Sequence, residues 1–198
     1  LISSKIGHSL DPLIVKIYHQ LFRDKVIDPN IFTILGVISG FVSFLCIAFN
    51  FLLLGGVALL VSGFFDLTDG ALARDTESVT PFGGFLDSVL DRYTDLFVIF
   101  GVFIHFLRHE DFFNSTATFT AAIGIAIIPY VKARAEASSL TCTTGILERP
   151  ERVILLLIGL FFNILPYVII ILAVLTHITV IQRILFVKKI TDRKIHNP

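Results

Sequence analysis

Uncharged runs long enough to cross lipid alternate along this chain with short charged stretches, and the pattern predicts helices throughout. Ile31 to Phe49 is 19 residues without a charge, which at ~1.5 Å per residue covers most of a hydrocarbon core about 30 Å thick. The next run, from Phe51, stays uncharged only to Phe65, about 22 Å of helix. It spans only if it continues through Asp66 and Asp69 to about Ala73. The third has the mirrored problem: Leu96 to Leu107 is too short unless its helix begins near Phe82 and takes in Asp87, Asp91, Arg92 and Asp95. Phe112 to Val131, a segment from near Leu147 to Leu165, and Tyr167 to about Val187 complete six predicted spans. Pro166 suits the first turn of the last helix, where a missing N–H costs nothing. Ahead of the first span, LDPLIVKIYHQLFRDKV sets Leu10, Leu13, Ile14, Ile17, Tyr18, Leu21 and Phe22 on one stripe of 3.6-residue period. Such a helix either lies on the membrane surface or packs against the bundle.

Composition agrees. The 198 residues are 55% hydrophobic and 16% charged, against about 25% charged in soluble domains, and mean hydropathy is +0.84. A soluble domain is excluded. Formal net charge is +0, so only its distribution informs. With both ends of a six-span chain on one side, that side holds Lys5, Lys16, Arg23, Lys25, Arg74, Lys132, Arg134, Arg149, Arg152, Arg183, Lys188, Lys189, Arg193 and Lys194, and the opposite loops hold Arg108. That asymmetry predicts cytoplasmic termini. The fold expected is therefore an all-α integral membrane protein: six transmembrane helices, an N-terminal amphipathic surface helix and both termini cytoplasmic. The basic run Arg183 to Lys194 reads as a snorkelling anchor to anionic headgroups. Cys46 and Cys142 give neither a disulfide framework nor metal spacing. Methionine is absent even at position 1, so a trimmed or processed chain is expected, with room for a preceding domain. No nucleic-acid partner is expected.

The stretch DLTDGALARDTESVTPFGGFLDSVLD places Asp66, Asp69, Asp87 and Asp91 where charge is costly. Asp66 and Asp69 are i,i+3 and share a helix face; Asp87 and Asp91 are i,i+4 and do likewise. Four carboxylates that converge repel one another unless a counter-charge intervenes. Arg74 and Arg92 are too few to supply it. Oxygen-only ligands suit a hard cation, Mg²⁺ or Mn²⁺, and four of them can hold a pair of ions about 4 Å apart, which clamps phosphoryl oxygens. Gly70 and Ala73 leave room along the same face, Gly83 keeps the next helix thin, and Arg74 can meet a phosphate.

As a set, D-x2-D-G-x2-A-R-x8-G-x3-D-x3-D is matched at every fixed position. The chain resembles the CDP-alcohol phosphatidyltransferase family, and the likeness in helix number covers nearly its whole length. The resemblance implies an enzyme in which an acceptor hydroxyl attacks the lipid-side phosphorus of a CDP-diacylglycerol or CDP-archaeol type donor and releases CMP. It implies Asp66, Asp69 and Asp87 as ligands of two Mg²⁺ or Mn²⁺ ions, and Asp91 as catalytic base that also touches a metal. Asp69, Gly70, Ala73 and Arg74 would line the donor site, with Thr80 as a further contact. DPNIFT resembles the family's Pro-Asn-x-x-Thr entry and would add Asn30 and Thr33, although Asp28 as N-cap and Pro29 as first residue explain that stretch without a ligand. A homodimer with one site per subunit is also implied. The organisation expected is a juxtamembrane amphipathic segment (1–29), a six-helix catalytic membrane domain (30–190) and a basic tail (191–198).

The acceptor is sought in PYVKARAEASSLTCTTGILERPERV. Pro129 is expected to kink or break its helix, and Lys132, Arg134, Arg149 and Arg152 are candidates for an acceptor phosphate. The K-A-R-A-E and E-R-P-E-R strings resemble the branch that makes phosphatidylinositol phosphate or its archaeal ether-lipid counterpart, which implies inositol phosphate as acceptor. A branch that builds a soluble inositol phosphodiester, and members that use glycerol phosphate or serine, are the alternatives. A transporter would more usually show inverted repeats, and a membrane prenyltransferase would place its two acidic motifs far apart.

Overall fold

The structure, a computed structural model, describes residues 11–22, 28–142 and 144–196. Among them lie seven α-helices and no strand: α1 Asp11–Phe22, α2 Pro29–Ala48, α3 Leu52–Asp75, α4 Pro81–Arg108, α5 Phe112–Glu136, α6 Arg149–Phe161 and α7 Leu165–His196. Among the described residues, four segments are long and apolar enough to cross a membrane: Pro29–Ala48, Leu52–Asp75, Phe112–Glu136 and Leu165–Asp192. The chain is an integral membrane protein. Six spans were expected from the sequence. α4 has the length, 28 residues, but carries Asp87, Asp91, Arg92 and Asp95. α6 has only 13 residues, about 20 Å: it starts at Arg149 rather than Leu147 and ends before Asn163, whose φ is 55°. Lys5, Leu10, Arg23 and Lys25 lie outside the described residues, as do the side chains of Leu21, Phe22, Arg193 and Lys194.

The chain divides into two units, residues 1–105 and 106–198. In the first, α2 begins as its sequence predicts. Asp28 accepts a hydrogen bond from the Asn30 backbone N–H at 2.9 Å, and Pro29 is the first helical residue. α2 and α3 pack along each other through small residues. Ser43 Oγ donates to the Gly55 carbonyl at 2.8 Å and Ser62 Oγ to the Gly36 carbonyl at 2.7 Å. A Cβ on Gly40 would come 2.7 Å from Thr94 Cγ2 on α4, so that crossing needs glycine. Close backbone approach is the way apolar helices gain contact energy in lipid, where burial of apolar surface drives nothing. α1 packs on this bundle: Ile14 and Tyr18 are buried while Leu13 is exposed. Tyr18, Phe32 and Leu72 form one cluster, with the Tyr18 and Phe32 rings edge to face at 5.9 Å. Of the two readings of the amphipathic stripe, packing is the one observed.

In the second unit α5 and α7 pack together around Thr118, Thr176 and Thr179, all fully buried, whose hydroxyls bond carbonyls of their own helices. Pro129 does not break its helix, which runs on to Glu136. Arg183, on α7, donates through Nη1 to the Ile128 carbonyl at 2.6 Å. Arg183 Nε also donates to the Thr144 carbonyl at 2.9 Å, and Nη2 lies 3.8 Å from Glu148. Reading Arg183 as a headgroup anchor was therefore wrong: it is buried and ties the segment after α5 to α7. Lys188 and Lys189, further along α7, are exposed. α7 continues to His196.

Candidate functional site

Helices α3 and α4 are joined by five residues, and the acids sit near the joined ends. Thr80 terminates the connection as an N-cap, its Oγ1 accepting from the Gly83 backbone N–H at 3.0 Å, and Pro81 is the first residue of α4. This turn brings Asp66 of α3 beside Asp87 and Asp91 of α4. One carboxylate oxygen from each lies within 4.8 Å of the others. Asp69, one turn nearer the connection, is buried on α3 at 6% exposure. It lies against Thr33 of α2 and close enough to Asp66 and Asp87 for their charges to act on it. Its Oδ2 makes no hydrogen bond.

Like charges this close repel by about 3 kcal/mol per pair at an effective dielectric near 20. Arg92 approaches Asp91 only to 4.0 Å. Arg74 points elsewhere: its Nε and Nη2 bond the two carboxylate oxygens of Asp11, on α1, at 2.9 and 3.0 Å. Every side chain in this donor set offers carboxylate oxygen. Three partly buried carboxylates whose oxygens converge, beside a fourth with a buried oxygen lacking any partner, fit a hard divalent cation.

The other residues singled out in the sequence separate into groups. Gly70 lies under Arg74: a Cβ there would come 3.2 Å from Arg74 Nη1. Ala73 is half-buried on the same helix. Asn30 and Thr80 come together at the start of α4, where a Cβ on Gly83 would lie 3.1 Å from Thr80 Oγ1 and 3.6 Å from Asn30 Oδ1. Thr80 thus has a capping role that its loop position did not reveal, although Thr-Pro followed by a helix is an N-cap signature. In the second unit, Lys132 and Arg134 are exposed on the last turns of α5, Arg149 is half-buried and Arg152 is buried. Arg183 lies close enough to Arg152 for their charges to interact. The partnership of Asp11 with Arg74, 63 positions apart, was missed, and no local pattern announces it.

A family model described as CDP-alcohol phosphatidyltransferase matches residues 26–188. Among curated proteins, the chain is 40% identical over 168 residues to an archaetidylinositol phosphate synthase of Pyrococcus horikoshii, covering 82% of this chain and 85% of that one. Among solved structures it is similar to a phosphatidylinositol phosphate synthase of Mycobacterium tuberculosis crystallised with CDP-DAG bound. The TM-score is 0.81 at 31% identity, with 89% of this chain and 94% of that chain covered. The same mycobacterial enzyme in complex with manganese and citrate matches with a TM-score of 0.77 at 30% identity, over 91% and 88% of the two chains.

Proposed function

This chain belongs to the CDP-alcohol phosphatidyltransferase family, and we propose that it transfers a phosphatidyl-type group from a CDP-linked lipid to inositol phosphate, releasing CMP. The observation that carries the reading is the convergence of Asp66, Asp87 and Asp91 beside the buried Asp69. The relatives support the substrates: one is named for archaetidylinositol phosphate, and another was crystallised with CDP-DAG and, separately, with manganese.

Asp66, Asp69, Asp87 and Asp91 would hold two Mg²⁺ or Mn²⁺ ions, which supply neutralisation of the donor diphosphate and of the departing CMP. The chain's own residues do the rest. Gly70 and Ala73 keep α3 thin where the donor lies, and Arg74, with Asn30, Thr33 and Thr80, lines its nucleotide and phosphates. Asp91 takes the proton of the acceptor hydroxyl on a carboxylate oxygen. The freed oxygen forms a bond to the lipid-side phosphorus, and the bond from that phosphorus to the bridging oxygen breaks, its electron pair leaving with CMP. Lys132, Arg134, Arg149 and Arg152 bind the acceptor's phosphate.

The reading extends to six spans with α4 and α6 included, cytoplasmic termini and a cytoplasmic site, all supported by the placement of Lys and Arg. It also extends to a catalytic membrane domain over 30–190 and to a homodimer. Initial rates of CMP release test it, with CDP-diacylglycerol or CDP-archaeol and Mn²⁺ against inositol 1-phosphate, free inositol, glycerol 3-phosphate and serine. Release driven by inositol 1-phosphate alone is expected. Release driven by glycerol phosphate or serine moves the chain to another branch of the family, and release with none of them refutes the activity.

A further inference from the structure

α1 places three side chains on one face at i, i+3 and i+7: Asp11, Ile14 and Tyr18. Ile14 and Tyr18 are buried, with Tyr18 packed on Phe32 and Leu72. Those apolar contacts determine where Asp11 stands, at the last turn of α3. There its carboxylate meets Arg74 at two points, 2.9 and 3.0 Å, the paired geometry in which a guanidinium plane is held rather than merely attracted. Arg74 folds back along its own helix, as helical side chains do. Its Nη1 lies over Gly70, 3.2 Å from where a Cβ would be. Arg74, Gly70 and Asp66 form one i,i+4 row, so the guanidinium is held on the row that leads to the acidic cluster. Nε–H and one Nη2–H are taken by Asp11, and Nη1 makes no hydrogen bond among the described residues.

We propose that Asp11 is a positioning residue for the donor: docked through α1, it fixes the Arg74 guanidinium over Gly70 with Nη1 left to meet a donor phosphate. The inference rests on the reading of Arg74 as a donor contact. Stability does not account for the pair. With Arg74 43% and Asp11 22% exposed, such an ion pair adds about 0–1 kcal/mol to a fold. An unrestrained arginine at a helix end would instead lose rotamer freedom each time it engaged a phosphate, and the carboxylate removes that cost beforehand. The first helix of the chain therefore belongs to the donor site by way of Arg74.

The test is kinetic, on the full chain in mixed micelles, with CDP-diacylglycerol and CDP-archaeol each varied against inositol 1-phosphate. Asp11→Asn should raise the donor KM about five- to tenfold, leave the acceptor KM, kcat and thermal midpoint near wild type, and be largely rescued in Asp11→Glu. In an Arg74→Ala background the same change should add nothing further. An unchanged donor KM in Asp11→Asn overturns the proposal, as does an equal rise in the Arg74→Ala background. A lowered donor KM also overturns it, by showing that the carboxylate competes with phosphate for Arg74. Any of these leaves the activity itself standing, whereas a wild-type chain that releases no CMP under any combination removes both.

Discussion

Asp91 and Asp69 are both carboxylates on neighbouring helices, yet their surroundings differ. Asp91 is part of the converging group and only half-buried, with Arg92 Nη2 4.0 Å from its Oδ2. Asp69 is buried and leaves one oxygen without a partner. Replacing Asp91 by Asn keeps the shape and removes the ability to accept a proton. Asp91→Asn is expected to lower kcat for CMP release by roughly 10²- to 10⁴-fold while CDP-diacylglycerol still binds, measured by equilibrium binding of labelled donor. A variant that turns over like wild type shows that another group takes the proton. At this scale the sequence was informative about the acids, because charge inside an apolar run is rare and its spacing along a helix is rigid. It was uninformative about Arg74, whose partner arrives from a helix 63 positions away, and about Arg183, whose basic neighbours disguised a side chain that bonds two backbone carbonyls.

The elements stand or fall with their ends and with their closest approaches. Asp111, outside the membrane-spanning segments, caps α5: the Asn114 backbone N–H donates to Oδ1 at 3.0 Å and the Asn114 side-chain amide to Oδ2 at 2.7 Å. These bonds hold the Asp111 carboxyl below the usual carboxylate range. A depressed value means the cap contributes stability above the unfolded carboxylate pKa of about 3.9 and loses it as pH falls through the folded value. Asp111→Ala should therefore melt below wild type at neutral pH, and the gap should narrow as the melts are repeated at progressively lower pH under 4. A gap that stays constant would show that the carboxylate's charge is not what caps the helix. The crossing of α5 with α7 depends on Gly124, where a Cβ would overlap the Thr176 side chain. Gly124→Leu is expected to cost about 1–3 kcal/mol or more through overpacking. Gly63→Ala, with nothing within 4 Å of the new Cβ, should not lower the midpoint. Equal losses at both positions would mean that helix approach is not the determinant. Hydropathy located most of the helices but misjudged both bounds of α6. It placed α6 from Leu147 because it reads composition, whereas its first turn is set by Arg149-Pro150 and its end by Asn163 in a left-handed conformation.

At the scale of the molecule, two long neighbouring helices, α3 and α4, give the acids rigid, adjacent ends whose side chains are partly buried and held within a few ångströms of one another. The spacing of the acids within each helix is strict, since a residue inserted between Asp66 and Asp69 or between Asp87 and Asp91 would turn one carboxylate about 100° away from the other around its helix. The acceptor residues were less legible, because basic residues at a membrane face are common for reasons of orientation alone. The central claim is that these two helices pool their carboxylates around divalent ions. Its most direct test is Mn²⁺ uptake by the purified chain, followed by loss of the free-ion paramagnetic resonance signal with and without CDP. The account predicts about two ions bound per chain, tighter with CDP, and uptake sharply weakened in Asp66→Asn and in Asp87→Asn while both variants keep the wild-type helical content. A wild-type chain that leaves the free Mn²⁺ signal unchanged at millimolar metal, with and without CDP, would contradict it.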